Sequence, residues 1–145
     1  MRRIRREESH ENLVKSLTSG ESPVFKEIWR LLVFAAALGV QSGSRRPLGK
    51  VDQGKAINDS YFSVPGWRGL LYLIGVTEVG DASALKADEA SEDYLVTLFE
   101  EYANQGLYIL RQEVENSAAP LDNIVTMVLE RASMPADPPV IEDVI

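Results

Sequence analysis

Apolar residues recur along the chain with helical spacing in five places. In the first, about Glu8 to Thr18, Leu13, Val14 and Leu17 share one side before Gly20 stops the run. In the second, Ser22 is an N-cap residue type and Pro23 suits a first helical position. From Val24 to Leu38 this stretch is apolar nearly all round, and Gly39 follows as a stop signal. A helix with so little polar surface belongs at the centre of a domain. A third helix is expected from Gly66 to Val79, between Pro65 and Gly80-Asp81. Its β-branched residues around Gly75 leave a strand open, and its length favours the helix.

The fourth helix opens near Asp88 to Ser91 and runs to about Asn116, because Leu95, Leu98, Phe99, Tyr102, Gly106, Ile109 and Leu110 hold the 3.6-residue period throughout. Gly106 falls on the inward face, where close approach of another helix would explain a residue that costs about 1 kcal/mol against alanine. The fifth, Pro120 to Ala132, offers Leu121, Ile124, Val125, Val128 and Leu129 as a buried stripe. The pattern thus predicts an all-α compact bundle of about five helices, with residues 1–133 forming one domain. Two segments do not follow it. Residues 41–64 keep neither period and are expected to be a long ordered loop. That loop is either a working surface or a connector pinned by Ile57, Tyr61 and Phe62. The 134–145 tail carries prolines through its first half and is expected to be extended, disordered or docked.

Length supports a single domain, since 145 residues bury a sizeable core but not two. Charge is uneven: residues 1–50 hold 10 basic and 5 acidic side chains, and residues 51–145 hold 5 and 17, for a net charge of −7. A protein that coats nucleic acid with its whole surface is excluded, while a local basic patch is not. The chain has no cysteine and one histidine, which removes thiolate nucleophiles, Fe–S clusters and multi-histidine metal centres. Acidic residues follow Met1-Arg-Arg-Ile-Arg-Arg where an export signal needs an apolar run, and the longest apolar run is 10 residues. A cytoplasmic protein without a membrane span is the expectation.

Candidate chemistry is sparse. Gly49-Lys-Val-Asp-Gln-Gly54-Lys55 has phosphate-loop spacing, but Ala56 replaces the required hydroxyl and no strand precedes it. Asp52 and Asp59, or Asp88, Glu89, Glu92 and Asp93, could gather at a metal, although turn and helix-start roles account for them. His10 sits in a charged segment that reads as exposed, away from any apolar wall. No catalytic residue, metal ligand or cofactor is assigned. The basic residues say more. Arg2, Arg3, Arg5 and Arg6 form a mobile arm, and Arg45, Arg46, Lys50 and Lys55 line the long loop, so these eight are the expected contacts to nucleic acid or to an acidic partner. The competing account pairs Arg5 and Arg6 with Glu8 and Glu11.

Three segments carry a resemblance: Ile28-Trp-Arg-Leu-Leu-Val-Phe-Ala-Ala-Ala-Leu-Gly39; Arg45-Arg-Pro-Leu with Lys50-Val-Asp-Gln-Gly-Lys-Ala-Ile57; and Phe99-Glu-Glu-Tyr-Ala-Asn-Gln-Gly-Leu107. They resemble a small accessory family associated with bacterial DNA phosphorothioation (dnd) systems, the dnd system-associated protein 4 type. The resemblance covers most of residues 1–115, and the 134–145 tail departs from it. It implies an accessory role in a prokaryotic defence island that marks its own DNA with backbone sulfur and restricts unmarked DNA. Lacking cysteine, the chain cannot relay persulfide sulfur itself. The leading expectation is a non-enzymatic adaptor that assembles with other dnd-system proteins, its basic arm and loop facing DNA or an acidic protein surface. One alternative is a direct reader of the DNA backbone, in which Arg45, Arg46 and Lys50 meet phosphate and Tyr61, Phe62 or Trp67 supply an apolar wall. The other is a metal-dependent enzyme using the loop carboxylates. A homodimer is compatible with the two-sided charge.

Overall fold

The Ala-rich stretch after Trp29 becomes the central helix because its small and aliphatic side chains let other helices approach from several sides. The computed structural model describes residues 1–62, 65–86 and 88–133. Among them are α1 (Glu11–Thr18), α2 (Ile28–Ser42), α3 (Trp67–Val79), α4 (Glu89–Val114) and α5 (Pro120–Ser133). Short 3-10 turns lie at Glu8–His10, Gln53–Lys55, Asp59–Tyr61 and Ala82–Leu85. The fold is all-α, as the periodicity predicts.

The bundle is organised by an antiparallel crossing of α2 and α4. A β-carbon on Gly39 would lie 2.1 Å from the Tyr102 carbonyl oxygen, and one on Gly106 would lie 1.7 Å from that of Ala35. Each helix therefore presents a bare backbone to the other, and the two come closer than side chains would allow. Gly106 meets the sequence expectation. Gly39 corrects it: the glycine expected to stop the helix is buried inside α2, which runs on to Gly43, a left-handed residue with φ 78°.

The start of α2 also differs from the sequence expectation. Ser22 and Pro23 do not open it; the helix begins at Ile28, behind an extended Glu27. The Phe25 N–H instead donates to the Leu17 carbonyl, 2.9 Å away, satisfying one of the free carbonyls at the end of α1. Phe25 also packs against Phe34 at 5.4 Å between ring centroids. Helix α4 opens where expected, with the Asp88 carboxylate accepting the Ser91 N–H at 2.9 Å, and it crosses Gly106 unbroken. Phe62 stacks on Trp67, and both meet Phe99 of α4 edge-on in the core.

Helix α5 departs from its predicted burial. It packs on α4 and buries Ile124 and Met127, leaving Leu121, Val125 and Leu129 at 54, 48 and 65% exposure. The apolar stripe is wider than the surface of α4 that covers it.

The N-terminal segment, expected to be a mobile arm, is docked. Ile4 is buried and exchanges both backbone hydrogen bonds with Ile57, at 2.7 and 2.8 Å. A second antiparallel bridge joins Glu7 to Val51. These bridges pin the long loop, together with buried Phe62, whereas Tyr61 is 65% exposed and pins nothing. The proline-rich tail falls outside the described residues.

The crossing yields a paired prediction. Gly106→Ala should lower stability by about 2 kcal/mol or more, because overpacking against backbone outweighs the helix propensity gained. Gly69→Ala, on α3 with open space around its Cα, should raise stability by about 0.5–1 kcal/mol. Urea unfolding of both variants checks this, and a neutral Gly106→Ala would remove the crossing from its central place.

Candidate functional site

Helix α4 carries polar residues at Thr97, Glu100, Asn104, Tyr108 and Arg111, three or four apart, so they form one seam along its surface. The N-terminal segment and the long loop lie along that seam. Glu100 is fully buried and is the anchor at one end. Its carboxylate accepts two hydrogen bonds from the Arg2 guanidinium at 2.7 and 2.8 Å, the Arg5 N–H at 2.6 Å, and the Arg5 guanidinium at 3.1 and 3.2 Å. Arg2 also donates to the Thr97 hydroxyl at 2.8 Å. A lone carboxylate in this position would be prohibitively desolvated; two guanidinium forks and a backbone N–H make it tolerable.

One turn along, Asn104 joins three parts of the chain. Its Oδ1 accepts from His10 Nε2 at 2.8 Å, and its amide donates to the Arg46 and Pro47 carbonyls, each at 3.2 Å. Arg111 can only donate, so its contact with His10 Nδ1 at 2.8 Å makes that nitrogen the acceptor. His10 is therefore the neutral Nε2–H tautomer, with both ring nitrogens engaged, and its ring meets Tyr108 edge-on at 4.5 Å. Burial holds its pKa below the ordinary 6.5, and the Arg111 and Arg46 charges add to this, against Asn104 and Glu7, which favour the protonated form. The exposed histidine expected from sequence is thus fully buried, because the segment carrying it folds back onto α4.

Glu7 completes the cluster. Its carboxylate accepts from the Gly49 N–H at 2.7 Å, the Tyr108 hydroxyl at 2.6 Å and the Ser9 hydroxyl. Burial alone would raise its pKa, but those three hydrogen bonds and nearby His10 outweigh it and hold the value at about 2. A β-carbon on Gly49 would lie 2.9 Å from Glu7 Oε1, so glycine is what lets the loop backbone reach this carboxylate. The phosphate-loop-like string thus wraps the chain's own acidic groups. Gly49 binds Glu7, Gly54 N–H binds Asp52, and Lys55 pairs with Glu11 at 3.3 Å.

The eight basic residues singled out in the sequence have different fates. Arg2 and Arg5 converge on Glu100; Arg6 is buried, pairing with Glu11 at 2.7 Å and donating to the Lys55 carbonyl at 2.8 Å. The expected pairing is thus kept for Arg6 and replaced for Arg5. Arg45 pairs with Glu101 and, at 3.6 Å, with Glu78. The Arg46 guanidinium lies over the Tyr108 ring, 3.9 Å from its centroid. Lys50 reaches Glu8 at 3.7 Å and is largely exposed, and Arg3 is exposed. The structure brings Arg2 and Arg5 together at Glu100, and Arg6 with Lys55 at Glu11.

The remaining candidates are dispersed. Asp52 caps a 3-10 turn, Asp59 pairs with Arg68 at 3.9 Å and Asp88 caps α4. Among the described residues, no group of three or more His, Asp or Glu is placed to hold a metal ion. Of the three aromatics expected to wall a DNA contact, Phe62 and Trp67 are core residues and Tyr61 is exposed.

Glu100, Asn104, Tyr108 and His10 escape sequence reasoning. The first three sit at intervals of four on a helix whose remaining inward positions are apolar, and polar residues repeating there are the available signal. Fold and seam together define an all-α protein, a small bundle closed by its own basic N-terminus. The family model described as DNA sulphur modification system-associated protein 4 matches residues 3–139, and the chain belongs to that family. No curated protein and no solved structure matches the chain. No described helix is long and apolar enough to cross a membrane.

His10 and Glu7 both bind fewer protons folded than unfolded, so stability should fall as pH drops. The fall begins below about 6.5 through His10 and continues between 4.5 and about 2 through Glu7, whose share is roughly 3 kcal/mol. Unfolding curves across this range should show a shallower acid limb for Glu7→Gln, and an unchanged limb would contradict the role given to Glu7. Glu100→Gln should cost about 3 kcal/mol and free the N-terminus. Trypsin should then cut after Arg2, Arg3 or Arg5 much faster than in the parent chain, and equal rates would mean that Glu100 does not hold the segment.

Proposed function

We propose that this chain is a non-enzymatic accessory protein of a DNA sulphur modification system, acting in the cytoplasm through contacts with other proteins of that system. Its place would be in the arm of the system that restricts unmarked DNA. Family membership supports the association with such a system. The observation that carries the mode of action is the internal use of positive charge. Arg2, Arg5, Arg6 and Arg45 spend their guanidinium groups on Glu100, Glu11, Glu78 and Glu101, so the charge expected to meet phosphate is largely neutralised within the chain.

Open apolar surface supports the same reading. Helix α5 presents Leu121, Val125 and Leu129 to solvent, the composition of a surface that buries itself against protein. Direct binding of the DNA backbone would instead require the arginines to exchange carboxylates for phosphates. That exchange gains little in affinity when the carboxylate is already bidentate and buried.

Two measurements test the proposal. The chain should co-elute with other proteins of its sulphur modification system, and Val125→Asp with Leu129→Asp should abolish co-elution without lowering the melting temperature. A labelled duplex, with or without a backbone phosphorothioate, should show no anisotropy change at low salt. Salt-sensitive duplex binding lost on replacing Arg45 and Arg46 with alanine would overturn the proposal in favour of a backbone reader.

A further inference from the structure

Two clefts meet along α2. The first, about 370 Å³, lies between α2 and α3 and is walled by Ala36, Ala37, Val40, Leu70 and Leu73, with Gln41 at one end. The second, about 880 Å³, continues toward the start of α2 past Phe34, Trp29 and Phe25 and is lined by exposed Lys26, Glu27 and Arg30, with Arg30 pairing with Glu27 at 3.5 Å. The two clefts follow one another along α2 and share Ala37; the groove they trace is apolar toward Gln41 and charged at the other end, where Lys26 and Arg30 outnumber Glu27.

The C-terminal end of α5 lies beside this groove. Arg131 donates to Gln41 Oε1 at 2.6 Å, two residues before the helix ends at Ser133. The next 12 residues, 134–145, lie outside the described residues. In sequence they are Met-Pro-Ala-Asp-Pro-Pro-Val-Ile-Glu-Asp-Val-Ile: mostly proline and aliphatic residues, with Asp137 among them and Glu142 and Asp143 toward the far end. Their order matches that of the groove. A segment entering at Gln41 would place Met134, Pro135 and Ala136 on the apolar walls and bring Glu142 and Asp143 to Lys26 and Arg30. Reach suffices, since 12 extended residues span up to about 40 Å while the 15 residues of α2 cover about 22 Å. Prolines also suit an apolar groove, because each brings one fewer N–H that needs an acceptor.

We propose that the groove along α2 is the docking site for residues 134–145 of the same chain. The proposal does not depend on the accessory role, which rests on α5 and the internal ion pairs. Docked there, the segment would cover apolar surface of α2 and α3 and compete with any partner peptide of similar acidic, aliphatic chemistry.

The absence of cysteine makes a direct test clean. A nitroxide attached to Val144→Cys in the full chain should broaden the amide signals of Lys26, Arg30 and Phe34. Broadening over Leu121 to Leu129, or over no described residue, would overturn the proposal. A mixture of spin-labelled, unenriched chain with unlabelled, ¹⁵N-enriched chain should show no broadening; broadening there would mean that a second copy supplies the segment, which also overturns docking within one chain. Lys26→Glu with Arg30→Glu should weaken the effect several-fold, and Glu142→Lys with Asp143→Lys in the same chain should restore it. Because the label map is read on the otherwise unaltered chain, the test stands even if the charge reversals fail to fold.

Discussion

Everything in this bundle depends on how closely α2 and α4 approach. Backbone meets backbone at Gly39 opposite Tyr102 and at Gly106 opposite Ala35, leaving no room for a β-carbon on either glycine. Close crossing turns the inward faces of the two helices into a single layer and buries Leu31, Leu32, Leu98, Phe99 and Leu107 together. It also fixes the orientation of α4 about its own axis. Once the Gly106 side must face α2, the line through Glu100, Asn104 and Tyr108 is turned toward the N-terminal segment and the loop.

That rotation creates a problem that the rest of the chain answers. A carboxylate at Glu100 and an amide at Asn104 would be costly on a buried helix face without partners. The N-terminal segment supplies them: Arg2 and Arg5 cover Glu100, and His10 reaches Asn104. The loop supplies the rest through the Arg46 and Pro47 carbonyls and the Gly49 N–H, the last of these serving Glu7. Segment and loop then hold each other by the Ile4–Ile57 and Glu7–Val51 bridges. Two stretches with little regular structure become ordered because each satisfies polar groups that the helical core leaves exposed to them.

How much of this is legible in the sequence follows from which interactions are local. Periodicity locates all five helices, and Gly106 reads as a crossing point because a glycine on an inward helical face gives up side-chain burial that only a close neighbour restores. Gly39 misleads because a glycine near the end of an apolar run looks the same whether it stops the helix or admits a neighbour. The start of α2 is hidden because Phe25 is held by a carbonyl of α1, a contact between elements that local signals at Ser22 and Pro23 do not register. The stripe of α5 is overcounted because periodicity identifies an apolar face but not how many neighbours will cover it. In the seam, charge sign alone makes the N-terminal arginines look available. The partners of Arg2, Arg5 and Arg45, at Glu100, Glu78 and Glu101, lie dozens of residues away, and only the fold brings them together.

The separation of charge along the chain thereby acquires a structural reading. A basic first third and an acidic remainder look like two surfaces awaiting opposite partners, yet much of the basic set is matched within the molecule by carboxylates of α3 and α4. Ion pairs used in this way fix the register of the N-terminal segment on α4 more than they add to stability, because each guanidinium–carboxylate contact regains what desolvation removed. Specificity is the larger effect. Glu100 accepts Arg2 and Arg5 but not an aliphatic side chain, so the segment has one favourable alignment, and that alignment delivers His10 to Asn104 and Glu7 to Gly49. With Arg2, Arg5, Arg6 and Arg45 engaged in this way, Leu121, Val125 and Leu129 of α5 stay open to solvent, and burial of that surface is what the proposed contacts with other proteins would use.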